Sequence, residues 1–141
     1  LSEDEWGGVN DIIIINENLL GIIAHFARFK GKFKERFYYP VSFCFDIFER
    51  KAFNFKILFT KTELPFGESK DPFLYNVIFP GGIMRQERLS QVRSSSSKSQ
   101  AKDFKISVGV GDYGTYEVVL KNLFNLLKNK TPRPTRAHDL Y

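Results

Sequence analysis

Between Phe37 and Phe59 the chain alternates large apolar residues with small or polar ones through two long runs. In the first, Phe37, Tyr39, Val41, Phe43, Phe45 and Ile47 fall on one side of an extended backbone. In the second, Phe53, Phe55, Ile57 and Phe59 do the same. Period-2 patterning in aromatic and β-branched residues specifies strands. The two runs predict an antiparallel hairpin whose apolar face forms the core. Matching the apolar sets pairs Ile47 with Phe53, Phe45 with Phe55, Phe43 with Ile57 and Val41 with Phe59. Phe48–Ala52 is then the connecting loop.

With 141 residues, the chain is long enough to bury a core without staples, and its 15 Phe, 6 Tyr and one Trp favour sheet over disorder. The single cysteine, Cys44, has no internal partner. With no signal peptide in view, it points to a reducing, intracellular compartment. The chain begins at Leu1 rather than Met, which leaves a removed leader or a larger parent open. No apolar run reaches transmembrane length, because Asn16-Glu17-Asn18 interrupts Ile12–Phe29. Residues 1–27 carry Glu3, Asp4, Glu5, Asp11 and Glu17 and no cation, so all 21 Lys and Arg lie beyond them. A basic body of this kind favours nucleic acid or an acidic protein surface as partner.

Leu1–Asn10 reads as an acidic flexible arm. Ile12, Ile15, Leu19, Ile22, Phe26 and Phe29 recur at helical spacing, which favours a helix over about 17–29 and leaves 12–15 open between strand and helix. Phe73–Phe79 is a short strand closed by Pro80-Gly81-Gly82, and 83–102 reads as a flexible basic loop around Ser94–Ser97. Phe104, Ile106, Val108 and Val110 mark another strand. Tyr116, Val119, Leu120, Leu123, Phe124 and Leu127 predict a helix over about 115–129, stopped by Pro132 and Pro134 before a tail, 131–141. The expected fold over 11–130 is one α+β domain. It would have a twisted antiparallel sheet of about four strands, with an N-terminal and a C-terminal helix packed on one face.

Gly109-x-Gly111-x-x-Gly114 has the spacing of a dinucleotide fingerprint. It lacks the second parallel strand that such a site needs, so it reads as a tight glycine turn. Cys44 has no histidine near it in sequence. His25 and His138 are far apart, and no cluster of metal ligands forms. These observations predict a non-enzymatic domain without cofactor or metal.

The most coherent constellation is the polar sheet face. Lys30, Lys32, Lys34 and Arg36 alternate toward Tyr38, with Lys56 and Lys105 on neighbouring strands and Arg85, Arg88 and Arg93 in the basic loop. Cations tracking phosphates beside a stacking ring suit RNA or single-stranded DNA. The alternative is a protein-interaction or scaffold domain of a larger assembly, with a homodimer as one way to hide the sheet edges. A sheet followed by a C-terminal helix resembles the Whirly and Pur single-strand binders. Tyr75-Asn-Val-Ile-Phe-Pro80 resembles the third strand of the RWD and ubiquitin-conjugating scaffold, which would imply a non-catalytic interaction domain.

Overall fold

The computed structural model describes residues 2–86 and 103–124. The serine tract, Arg88, Arg93, the end of the expected C-terminal helix and the tail lie outside the described residues.

Among the described residues, seven strands form two antiparallel sheets. Sheet A runs in chain order through β1 (Glu5–Asn16), β2 (Leu19–Lys30), β3 (Glu35–Asp46) and β4 (Lys51–Ile57). Sheet B follows with β5 (Ile78–Gln86), β6 (Asp103–Val110) and β7 (Gly114–Leu120). Among the described residues the helical pieces are two three-residue 3₁₀ turns in the connection, Lys61–Glu63 and Pro72–Leu74. None is long and apolar enough to cross a membrane.

The α+β expectation is therefore corrected to an all-β architecture, without packed helices among the described residues. The N-terminal helix is instead the β1–β2 hairpin, whose turn is Glu17-Asn18, with Asn16 Oδ1 accepting from the Asn18 N–H at 3.0 Å. β2 lies between β1 and β3 and is apolar on both faces, which erases the period-2 signal and leaves residues at helical spacing by coincidence. Residues 5–10, expected as an arm, form the first half of β1. The C-terminal helix gives way to β7, where Tyr116, Val118 and Leu120 are half-buried and Thr115, Glu117 and Val119 are exposed. Without these helices, the resemblances to single-strand binders and to the ubiquitin-conjugating scaffold fall.

The hairpin of β3 and β4 is present, in a different register. Val41 pairs with Ile57, Cys44 with Phe53 and Phe45 with Ala52, with an irregularity between Ser42 and Cys44. Asn54, at φ +59°, supplies the extra residue. The bulge turns Phe53 inward beside Cys44 and leaves Phe55 outward, stacked on Phe43 at 4.8 Å between centroids. Pro40 is fully buried at the level where β4 ends. Its carbonyl accepts from the Leu58 N–H at 2.9 Å, so its missing donor falls just beyond the last β4 rung.

Which face of sheet A packs on sheet B is the reverse of the expectation. The inward face carries Leu19, Gly21, Ile23 and Ala27 on β2 and Pro40, Ser42 and Cys44 on β3, all buried. Ile78, Ile106, Val108 and Val110 of sheet B meet Ile23 and Cys44 in one core. Small residues here let a second sheet approach at about 10 Å. The face of Phe37, Phe43 and Phe55 looks away from sheet B.

Two polar ties cross the sheets. Asp11 Oδ2 accepts from the Ile83 N–H at 2.9 Å, and the Arg85 guanidinium donates to the Ile14 carbonyl. The Gly109-x-Gly111-x-x-Gly114 stretch is the β6–β7 hairpin, with Gly111 at φ +55°. Asp112 in its turn accepts from the Ser69 hydroxyl (2.8 Å) and from the N–H groups of Lys70 and Asp71 (2.9 Å each). The Ser69 bond first, then the two backbone donors, hold its carboxyl below the usual carboxylate range.

Candidate functional site

At the margin of the inter-sheet core, where sheet B stops covering sheet A, the inward-facing positions become aromatic. Register fixes the grouping: Gly8 lies opposite His25, Trp6 opposite Ala27, and Ala27 opposite Tyr38. The strand period then adds Phe29 beyond Ala27 on the same face. Trp6 lies 4.7 Å from Phe29 and 5.6 Å from Tyr38, centroid to centroid. His25 stacks on Tyr38 at 5.6 Å, and Phe79 of sheet B closes the group, 4.9 Å from His25 and 6.2 Å from Tyr38. All but Phe79 are half-buried, and Phe79 is 44% exposed. A Cβ at Gly8 would stand 3.2 Å from His25 Cε1, so glycine there keeps the imidazole edge open.

His25 Nδ1 lies 2.8 Å from Asn10 Oδ1. An amide oxygen only accepts, which puts the proton on Nδ1 and leaves the Nε2 lone pair as an acceptor. Burial pushes the imidazole below its ordinary value. The ring is then neutral in the fold at pH values where the unfolded chain is already protonated. Its contribution to stability is complete above the unfolded value near 6.5 and is lost as pH falls through the folded value. A urea midpoint that declines as pH falls below about 6.5, with a shallower decline in His25→Gln, is the expected result.

The cluster is uncharged at its centre and pairs ring faces with one imidazole acceptor. Sites of this composition take amphipathic small molecules, rings covering the apolar side and a few polar groups fixing orientation. A pyranose is such a molecule, with C–H groups on one face and hydroxyls around its rim. Among the described residues no group of three or more His, Cys, Asp or Glu side chains could hold a metal ion.

The residues expected to bind nucleic acid do not come together. Lys32 and Lys34 lie in the β2–β3 turn, where Gly31 at φ +74° and Lys34 at φ +51° break the strand that alternation required. Lys34 pairs with Asp4 at 3.8 Å and sits over Phe29, and Lys30 sits over Phe37. Arg36 is exposed at the start of β3, while Tyr38 is in the aromatic cluster. Lys56 lies on edge strand β4 opposite Ser42. Arg85 is committed to Ile14, and Lys105, in the other sheet, donates to Glu117 at 3.0 Å. The polar face meant to carry the site is the one sheet B covers.

Sequence reasoning placed Tyr38 in a site but missed its neighbours. Trp6 and Gly8 share the period-2 face of β1, and His25 and Phe29 that of β2. That signal was hidden by reading 1–10 as an arm and 17–29 as a helix. Cys44 is fully buried. Burial pushes its thiol up, against smaller opposing effects of the Asn54 hydrogen bond and the Lys56 charge. A protonated, enclosed thiol is a packing residue, not a nucleophile.

The chain is similar to solved structures. MPT-4, a mannose phosphorylase from Leishmania mexicana solved with a phosphate ion, superposes with a TM-score of 0.67 at 28% identity, over 89% of this chain and 36% of its own. MPT-1, a GDP-Man-dependent mannosyltransferase from the same organism, gives 0.66 at 25% identity, over 86% of this chain and 36% of its own. A hypothetical protein from Leishmania major gives 0.64 at 25% identity, over 85% and 35%. The chain thus spans about a third of the length of these structures. No curated protein matches it. The expectation of a non-enzymatic nucleic-acid binder is corrected accordingly: the fold is shared with carbohydrate-active enzymes. The family model described as "Protein of unknown function (DUF1861)" matches residues 1–112, and the chain belongs to that family.

Proposed function

We propose that this chain is the sugar-binding part of a carbohydrate-active enzyme of the mannose phosphorylase or mannosyltransferase kind. The carrying observation is the 28% identity to a mannose phosphorylase over 89% of the chain at a TM-score of 0.67. The cluster of Trp6, His25, Phe29, Tyr38 and Phe79 supplies a place for the sugar.

In this reading Tyr38 and Phe79 pack on the C–H face of a mannosyl unit. Neutral His25, held by Asn10, accepts a hydrogen bond from a hydroxyl through Nε2. Rigid half-buried rings cost little entropy on binding, which suits a site that must orient a sugar. Mannosyl transfer also requires an acid to protonate the leaving oxygen or an activated phosphate to depart. The role proposed for these residues is binding and orientation.

Trp6 is the chain's sole tryptophan and sits in the cluster, so its emission reports directly on occupancy. Titration with mannose, mannobiose and mannose 1-phosphate is expected to give a saturable change with at least one of them. Tyr38→Ala, with its circular dichroism unchanged, is expected to weaken that binding about tenfold, or about 1.4 kcal/mol. Flat emission with all three ligands on folded protein rejects the proposal.

A further inference from the structure

The chain crosses from sheet A to sheet B through 58–77, between the end of β4 at Ile57 and the start of β5 at Ile78. Backbone entropy opposes fixing so long a connection, so the contacts that hold it are informative. Three consecutive residues of the β6–β7 turn, Gly111, Asp112 and Tyr113, supply them. Gly111 N–H donates to the Val77 carbonyl at 2.8 Å. The Asp112 carboxylate takes the Ser69 hydroxyl and the N–H groups of Lys70 and Asp71. The Tyr113 hydroxyl accepts from Lys61 Nζ, which lies 4.4 Å from the ring centroids of both Tyr113 and Tyr75. The Gly67 backbone passes so near the Tyr113 ring that a Cβ there would collide with it.

We propose that Asp112 is a positioning residue for the aromatic cluster: it clamps the connection, and the clamped connection places Tyr38 and Phe79. The far end of the clamped segment reaches both rings. β4 ends with Ile57 opposite Val41, so on that side no strand of sheet A lies beside Tyr38. The Asn76 carbonyl fills the gap and accepts from the Tyr38 N–H at 3.1 Å. Just beyond Asn76, Phe79 faces the Tyr38 ring at 6.2 Å. Between the clamp and Asn76 the backbone is stiffened. Asp71 Oδ1 accepts from the Phe73 N–H at 2.9 Å and opens the 3₁₀ turn Pro72–Leu74. The Leu74 carbonyl then accepts from the Val77 N–H at 3.0 Å.

Of the contacts from the turn, that of Asp112 depends most on side-chain identity. The Gly111 bond is backbone to backbone and any residue could make it. Asp112 brings an ionised acceptor to three donors, and hydrogen bonds to a charged acceptor are stronger than neutral ones. A group that holds a binding ring in place acts on affinity without touching the ligand. The inference rests on the sugar-binding reading for its ligand alone; the placement of the rings stands without a sugar.

Circular dichroism of the full chain, with titration of mannose, mannobiose and mannose 1-phosphate, tests it. Trp6 meets Tyr38 edge-on, so the near-UV band of Trp6 reads the placement of that ring while the far-UV spectrum reports the fold. In folded Asp112→Ala the Trp6 band is expected to weaken, and affinity for whichever sugar the wild type binds is expected to fall about tenfold or more. Asp112→Asn keeps one acceptor oxygen and is expected to lie between the two. Ser69→Ala removes one donor and gives the same readings, in smaller measure, if Asp112→Ala does not fold. Glu117→Ala breaks the Lys105 pair on the same hairpin and is expected to leave both readings at wild-type values. The proposal is overturned if the folded Asp112 and Ser69 variants keep the wild-type Trp6 band and affinity, or if Glu117→Ala weakens them as much. A wild type that binds none of the sugars, with a weakened Trp6 band in Asp112→Ala, rejects the sugar-binding reading and supports the positioning role.

Discussion

Ile23→Ala lowers the free energy of unfolding by about 2–5 kcal/mol, whereas Phe55→Ala lowers it by about 1 kcal/mol or less. The two residues lie on opposite faces of the same sheet, and only the structure says which face is the interior. Ile23 is fully buried against Ile106, Val108 and Val110, so truncation removes transfer energy and opens a cavity between two sheets that cannot close freely. Phe55 is 65% exposed and keeps mainly its stack on Phe43. Urea titrations of both variants, at dilutions where the chain is a single copy, give the two midpoints. Equal losses, or a larger loss for Phe55, would show that the aromatic face is the core after all.

Gly21→Val costs about 1–3 kcal/mol by overpacking. Gly21 is buried on the inward face of β2, directly beneath the Phe124 ring. A Cβ there would stand 2.8 Å from Phe124 Cε2 and Cζ, closer than atoms can approach. The ring must leave, and with it goes the edge-to-face contact with Phe104 at 5.4 Å. Because the clash is with one side chain, the effect is not additive: in a Phe124→Ala background, Gly21→Val is expected to cost markedly less. A double-mutant cycle by urea denaturation measures the coupling. Additive losses would mean that Phe124 does not cover Gly21.

The β3–β4 hairpin was legible because its alternation is long and strongly aromatic. Its register was not, because the bulge at Asn54 is a tertiary accommodation that lets Phe53 point inward and Phe55 outward. β2 was misread for a different reason, while β1 was divided between an acidic arm and an open stretch, 12–15. A strand flanked on both sides within its sheet, and apolar on both faces, loses the alternation that identifies strands, and its isoleucines fit a helical stripe equally well. The aromatic cluster inherits that error. Trp6, His25 and Tyr38 lie on three strands, and only the register Gly8–His25–Pro40 aligns them.

By itself, the sequence determined the strand character of the β3–β4 hairpin, the two-sided character of Phe37–Phe59 and the glycine turn at 109–114. Those properties are local, set by backbone preference and side-chain type. Tertiary structure alone decided which side of the hairpin is inside. Hydrophobicity favoured the phenylalanine face, but close packing of two sheets favours small side chains, and Gly21, Ala27, Ser42 and Cys44 provide the flat surface on which Ile106 and Val108 can lie. The larger rings were thereby left facing outward, and the margin of the inner face became the place where Trp6, His25, Tyr38 and Phe79 meet.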